Sequence, residues 1–302
     1  MLLPDRLTRS ITSKNGADAA LGSLVLTAQG IELFANAKVD AKGMELGIAG
    51  EAALVLGGTK GLGFSCAEQL ALAGVHVAIN GRDAKAGIEK AAALGGGAIF
   101  VQGDLADNCE PAKLIAEAEH KLGPIRILIT NAGGPPPGQF NEHSIEVWRR
   151  AIDINMLSAV AAVQTLLPGM IAAKFGRIVN ITSFVVKEPY PNMALANSIR
   201  VGLTGAMSTL AREVASHGIT VNNILPGLMD TGALQRVIKA RSAKDGTTED
   251  QVKRNMAASV PMGRLGSADD FGPLCAFLCS RHAGYITAQN IAVDGGLVRG
   301  LL

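Results

Sequence analysis

Cysteine is scarce and unpatterned in this chain: Cys66, Cys109, Cys275 and Cys279 form no CxxC pair, and no His/Cys cluster has zinc-ligand spacing. That excludes a disulfide scaffold and any metal module readable from spacing, and it predicts reduced thiols in a cytoplasmic protein. Cys275 and Cys279, four residues apart, share a helical face, the pattern of small core residues. A dominant charge is lacking too. With 28 Lys and Arg against 26 Asp and Glu the net charge is +2, and the basic residues are too dispersed to form a nucleic-acid surface. No apolar run reads as long and uninterrupted enough to span a bilayer, so no membrane partner is expected. Residues 1–17 carry Arg6, Arg9 and Lys14, but Asp5 and the missing apolar stretch argue against a secretory signal. The histidines His76, His120, His143, His217 and His282 converge on no metal or nucleophile by spacing.

What is abundant is apolar residues, 48% of the chain, together with 36 glycines, a composition suited to buried strands and closely packed helices. The organising stretch runs from Leu54 to Gly63, Leu-Val-Leu-Gly-Gly-Thr-Lys-Gly-Leu-Gly. Its apolar run, its clustered glycines and the amphipathic continuation from Phe64 to Leu72 predict a buried strand, a tight turn and a helix. Gly57, Gly61 and Gly63, interleaved with Thr59, Lys60 and Leu62, let the backbone approach a ligand while helix N–H groups face an anion. The expected anion is a dinucleotide pyrophosphate.

Further apolar runs predict strands over Ala53–Leu56, Val75–Ile79, Ala98–Val101, Ile125–Thr130, Arg177–Ile181, Thr220–Leu225 and Asn290–Val293, separated by segments of helical spacing. Continuous apolar strands alternating with helices indicate an α/β, doubly wound parallel sheet. No Pro/Ser-rich linker divides it, so residues 44–302 are expected to form a single domain. Residues 1–43 hold two possible short elements, Leu21–Leu26 and Ile31–Ala37, and no motif tied to chemistry. They read as a docking arm, a targeting peptide or, preferably, an extension upstream of Met44. The Gly134–Gly138 run, with three prolines, reads as a rigid loop at a strand's carboxyl end. The charged stretch from Met229 to Met262 is expected to be a mobile lid.

Cofactor choice follows from charge at the end of the second strand, Ile79-Asn80-Gly81-Arg82. A carboxylate there would accept from a bare ribose and repel a 2′-phosphate; none precedes Asp83. Arg82 can fork onto a phosphate and Lys60 adds a second cation, so NADP(H) is expected over NAD(H).

Together these signals resemble the short-chain dehydrogenase/reductases, particularly their 3-oxoacyl-carrier-protein-reductase-like members, from Met44 onward. The glycine turn resembles that family's cofactor motif, and Asp104, followed by Leu105, its adenine-side aspartate. Asn131-Ala132-Gly133-Gly134 is similar to the motif beside the nicotinamide half. Asn155 and Ser183 stand where the family's catalytic asparagine and serine stand. Pro226-Gly227 and Thr231 are similar to the loop that grips the nicotinamide carboxamide, and Asp294-Gly295-Gly296 to the closing turn. The resemblance also implies a dimer or homotetramer, built on the helix pair bearing Asn155 and Arg200; Trp148, opening the first of these, is expected to anchor packing.

The departure falls at the chemistry. Where the family has Tyr-x-x-x-Lys, this chain has Ala196-Asn197-Ser198-Ile199-Arg200. Alanine has no proton to give, and arginine does not titrate near neutrality, although Arg200 can still hold ribose hydroxyls. Ser198 is rotated about 200° from Ala196 on a helix and points away. Tyr190 and Tyr285 are the only tyrosines; Tyr285 reads as structural and Tyr190 as a loop residue able to swing. Lys187, four residues after Ser183, could act as the acid, or a water held by Ser183 and Arg200 in the space left by the tyrosine could. Three functions remain open in this order: an NADP(H)-dependent oxidoreductase for a ketone and a secondary alcohol, using Ser183, Asn155, Arg200 and Lys187; a catalytically silent cofactor-binding protein; and a non-redox lyase or isomerase.

Overall fold

The computed structural model describes residues 8–9, 23–27, 30–34, 45–106 and 110–300, and the chain divides into two compact units, Met1–Glu45 and Leu46–Leu302. In the first, β1 (Thr8–Arg9), β2 (Ser23–Thr27) and β3 (Gly30–Phe34) form an antiparallel sheet with Ser23 opposite Phe34. The outer residues of the two short elements expected there lie outside the described residues, as does Cys109.

The second unit is a seven-stranded, wholly parallel sheet. Its strands are β4 (Ala52–Val55), β5 (His76–Gly81), β6 (Ile99–Gln102), β7 (Ile125–Thr130), β8 (Gly176–Ile181), β9 (Ile219–Pro226) and β10 (Asn290–Val293). They lie in the order β10-β9-β8-β7-β4-β5-β6, each parallel to its neighbours. All seven expected strands are present, β7 and β10 with the expected ends and the others with ends displaced by a residue or two, because hydrogen bonding, not apolarity, sets where a ladder stops. Chain order reverses between β4 and β7, and in such sheets ligands bind beyond the carboxyl ends of strands at that point.

Helices cover both faces. Alternate residues of β4 explain why: Ala52 and Leu54 join one core with Leu114, Leu166 and Leu203, whereas Ala53 and Val55 join the other with Leu70, Phe271 and Cys275. The first layer is α3 (Glu110–Leu122), α5 (Ser158–Ala173) and α6 (Ala194–Val214); the second includes α1 (Gly61–Leu72) and α9 (Gly272–Cys279). Cys66, Cys275 and Cys279 are free and fully buried in the second layer, where hydrogen bonding between the thiols together with burial holds the Cys275 and Cys279 thiols well above the usual range, against the opposing pull of the Cys279 bond on Cys275.

One expectation fails here. The helical run from 145 to 173, which contains α4 (Ile145–Ile152) and α5, is long and apolar enough by length and composition to cross a membrane. Ala159, Ala162, Val163, Leu166 and Met170 nevertheless pack in the core against the sheet.

A polar row crosses the sheet within this apolar frame. Thr130, Asn180, Asn223 and Asn290 are register partners on β7, β8, β9 and β10. Thr130 Oγ1 donates to Asn180 Oδ1 (2.7 Å), Asn180 Nδ2 to Asn223 Oδ1 (3.0 Å) and Asn223 Nδ2 to Asn290 Oδ1 (2.8 Å). The first three are buried, so the satisfied row rewards one register and penalises a slip.

Candidate active site

The glycine stretch folds as strand, turn and helix. Gly57 and Gly61 take φ of +56°, a left-handed conformation that glycine adopts without strain. Gly63 is needed for space: a Cβ there would stand 2.5 Å from the Gly57 carbonyl oxygen and 2.7 Å from Asn131 Nδ2. Asn131 Nδ2 instead donates to that carbonyl (2.9 Å), tying the turn to the exit of β7. Helix α1 opens at Lys60 with no side-chain cap and no acidic residue in its first turn, so its N-terminal N–H groups and partial positive charge face outward from the turn. Leu62 is half-buried against the second core layer. Thr231 closes the other side, its methyl 3.7 Å from where a Cβ on Gly61 would be.

At the exit of β5, Arg82 and Asp83 are exposed. Asp83 caps α2 (Ala84–Leu94), accepting from the Ala86 N–H at 3.1 Å, which turns the nearest carboxylate toward a helix end. Lys60 is exposed on the neighbouring turn. The turns are keyed together, for a Cβ on Gly81 would lie 2.6 Å from Thr59 Cγ2. Asn80, buried beneath them, accepts from the Gly57 N–H (3.4 Å) and donates to the Val101 and Gly103 carbonyls (3.2 Å each). Beyond β6, Asp104 accepts from the Ala106 N–H (3.1 Å) and Leu105 is buried.

On the other side of the reversal, Asn155 lies in a π-helical turn, Asp153–Leu157, that joins α4 to α5. Such a turn inserts one extra residue and re-aims side chains, a feature concentrated at functional sites. Asn155 Nδ2 donates to the Ala151 carbonyl (3.2 Å), while its Oδ1 is buried with no partner among the described residues. Arg200, on α6, is also buried; it donates to the carbonyls of Ile181 (3.0 Å) and Ala132 (3.4 Å). Burial lowers its pKa to about 10, so it stays charged at neutral pH. Asn155, Arg200, Thr130 and Asn131 line a cavity of about 10 Å³, about the space one water needs. This cavity is lined by Asn155 and Arg200 and not by Ser183, and it offers a water one acceptor and one charged donor.

Ser183 lies two residues beyond β8 and leads into a 3₁₀ turn, Phe184–Val186; its Oγ accepts from the Val185 N–H (3.4 Å), leaving its own proton to give. Lys187 follows, exposed. Ala196 does not face a void. It is buried in an apolar cluster with Phe184, Val185 and Leu228, joined by Ile238 of α7 (Gly232–Asp245) and Val252 and Met256 of α8 (Glu249–Ser259). Tyr190 packs edge-on against Phe184 (5.5 Å between ring centroids), and Ser198 is exposed, donating to the Ala194 carbonyl. Tyr285 is 103% exposed, which overturns its expected structural role. Trp148 packs beside Ala151, Leu195 and Ile199, with Phe140 edge-on. The Gly134–Gly138 loop is tied down at its end, where the Gly138 N–H donates to the Asn192 carbonyl (2.8 Å). Gly133 is exposed at the loop's start; Pro226 and Gly227 are half-buried, and the Gly227 N–H donates to the Val293 carbonyl (3.0 Å). The fold thus gathers the glycine turn, Asn131 and Thr231 at one place, with Ser183 at the adjacent strand end. The residues that sequence reading missed are Asn80 and Thr130, which strand pairing reveals, and the capping use of Asp83, a local bond at the start of α2.

The family described as enoyl-(acyl carrier protein) reductase matches residues 57–298. A 3-oxoacyl-[acyl-carrier-protein] reductase of Staphylococcus epidermidis is 33% identical over 251 residues, 82% of this chain and 98% of its own. Among solved structures, YwfH, an NADPH-dependent reductase involved in bacilysin biosynthesis, is similar at TM-score 0.79 and 28% identity, over 83% of this chain and 99% of that one. The L-sorbose reductase of Gluconobacter frateurii, complexed with NADPH and L-sorbose, is similar at TM-score 0.81 and 27% identity, over 85% of this chain and all of that one. With a seven-stranded parallel sheet, a glycine turn at its reversal and matches of this extent, the chain belongs to the short-chain dehydrogenase/reductase family of oxidoreductases, close to its 3-oxoacyl-carrier-protein reductases.

Proposed function

We propose that this protein is an NADP(H)-dependent oxidoreductase that interconverts a ketone and a secondary alcohol without a tyrosine acid. The observation that carries the cofactor half is the capping of α2 by Asp83, which engages the nearest carboxylate and leaves Arg82 and Lys60 as exposed cations at the second strand's exit. The rest of the site fits a dinucleotide: the uncapped start of α1 and the space beside Gly63 suit a pyrophosphate. When bound, the nicotinamide supplies or accepts the hydride. Asn131, Pro226, Gly227 and Thr231 flank that end.

Ser183 donates its free proton to the substrate oxygen and polarises the carbonyl. Arg200 and Asn155 hold the exit of β7 and one water, and Arg200 adds a fixed positive charge behind the site. Arg200 cannot pass a proton, so the acid is Lys187 or solvent. Losing a positioned acid costs about 10²–10⁴ in rate, while a well-oriented hydride transfer recovers a comparable factor, so turnover survives. On this reading the protein acts in the cytoplasm as a dimer or tetramer. Purified protein, NADPH and a panel of ketones test the reading: NADPH oxidation that falls by about 10²–10³ in Ser183→Ala supports it. Tight NADPH binding with no oxidation by any carbonyl would favour the silent cofactor-binding role.

A second reading is favoured by the apolar burial of Ala196, which leaves no side-chain acid at that position. Reduction of a carbon–carbon double bond conjugated to a carbonyl needs none there: hydride adds to the β-carbon, Ser183 stabilises the enolate oxygen, and the α-carbon takes a proton from water. The description of the matching family as an enoyl reductase agrees with this reading. Saturated ketone formed from an enone, with no alcohol, distinguishes it.

A further inference from the structure

At the exit of β6 one side chain reaches across to the next strand's turn. Gln102, register partner of Gly81, donates from Nε2 to the Arg82 carbonyl oxygen at 3.0 Å. The same junction is braced twice more: the Gly103 N–H donates to the Gly81 carbonyl (3.1 Å), and Asn80 ties Val101 and Gly103 to Gly57. The Arg82 peptide is therefore oriented by Gln102 on one side, while Thr59 closes over Gly81 on the other. Among the described residues the Arg82 and Lys60 side chains make no ion pair or hydrogen bond, so both cations remain available.

Resting on the NADP(H) reading above, we propose that Gln102 is a positioning residue that sets cofactor specificity. It makes no contact with the 2′-phosphate in this role. By bonding the Arg82 carbonyl it fixes the turn from which the guanidinium projects, so the fork is ordered before the phosphate arrives and less freedom is lost on binding. A bare ribose does not use Arg82, so binding of NADH gains nothing from this preorganisation. Gln102 is exposed at the end of an edge strand, where replacing it leaves the core intact.

The test is a set of fluorescence titrations of the full chain with NADPH and with NADH, in the wild type, Gln102→Leu, Gln102→Glu, Arg82→Ala and the double variant Arg82→Ala/Gln102→Leu. Loss of the one hydrogen bond is expected to weaken NADPH by about three- to tenfold in Gln102→Leu and to leave NADH unchanged. Gln102→Glu, isosteric but without the donor, is expected to weaken NADPH at least as much. Arg82→Ala is expected to weaken NADPH more, and Gln102→Leu to add nothing once Arg82 is gone, because the two act as a unit. Equal weakening of NADPH and NADH, or losses that add in the double variant, would overturn the positioning role while leaving the NADP(H) reading intact. An NADPH-to-NADH ratio unchanged by Arg82→Ala would overturn both.

Discussion

Replacing Asn180 by leucine roughly preserves side-chain volume while removing a buried acceptor and a buried donor from the middle of the sheet. Thr130 Oγ1 loses the oxygen it donates to, and Asn223 Oδ1 loses the N–H it accepts from. Both neighbours are buried, with Thr130 3% and Asn223 1% exposed. The two orphaned groups cost about 1–3 kcal/mol each, about 4 kcal/mol together at mid-range, and the leucine returns about 2 kcal/mol through burial, leaving a net loss of about 2 kcal/mol. For a unit of this size that is a fall in Tm of roughly 2–4 °C per kcal/mol, read by calorimetry or circular dichroism. A Tm equal to or above the wild type's would refute the claim that the Thr130–Asn180–Asn223–Asn290 row is a fully satisfied network. The conservative Asn180→Asp keeps the acceptor for Thr130 but loses the donor and buries a charge, so it is expected to be worse than leucine.

Other perturbations separate the parts of the site. Lys187→Ala is expected to lower turnover with NADPH affinity unchanged, measured by stopped-flow and titration; unchanged turnover removes Lys187 as the acid and leaves solvent. Ala196→Tyr places a ring among Phe184, Val185 and Leu228, so it is expected to cost about 1–3 kcal/mol in urea unfolding through overpacking, and unaltered stability would contradict the packed cluster. Arg200 has a folded-state pKa near about 10 against an ordinary value of 12.5, so folding there disfavours the proton. The penalty is complete at neutral pH and is released as pH rises through about 10. The stability of wild type relative to Arg200→Met should therefore shift in the wild type's favour between about pH 8 and about pH 11, and no shift would contradict the buried charge.

The parallel sheet was legible because each strand is a short apolar run between helix-length segments, and β7, Ile125–Thr130, was read to the residue. The glycine turn was legible for a similar reason: local sequence dictates strand, turn and helix there. What pairing decides was not legible. Nothing in the sequence says that Thr130, Asn180, Asn223 and Asn290 stand side by side, since that depends on the register of four strands distant in the chain. Nor does sequence say that Ala196 is buried in one apolar cluster with residues of α7 and α8. The exposure of Tyr285 is not legible either, because periodicity reports a face, not what covers it.

Transfer of deuterium from NADPH labelled at the reactive C4 position into a carbonyl substrate tests the central claim most directly, because it follows the hydride itself. Incubation of the full chain with labelled NADPH and the ketone panel, followed by mass spectrometry, is expected to place deuterium on the carbinol carbon of at least one product. Deuterium at the β-carbon of a saturated ketone would move the chemistry to the conjugated double bond. Saturating NADPH binding with no deuterium in any product would contradict the assignment of redox turnover to this site.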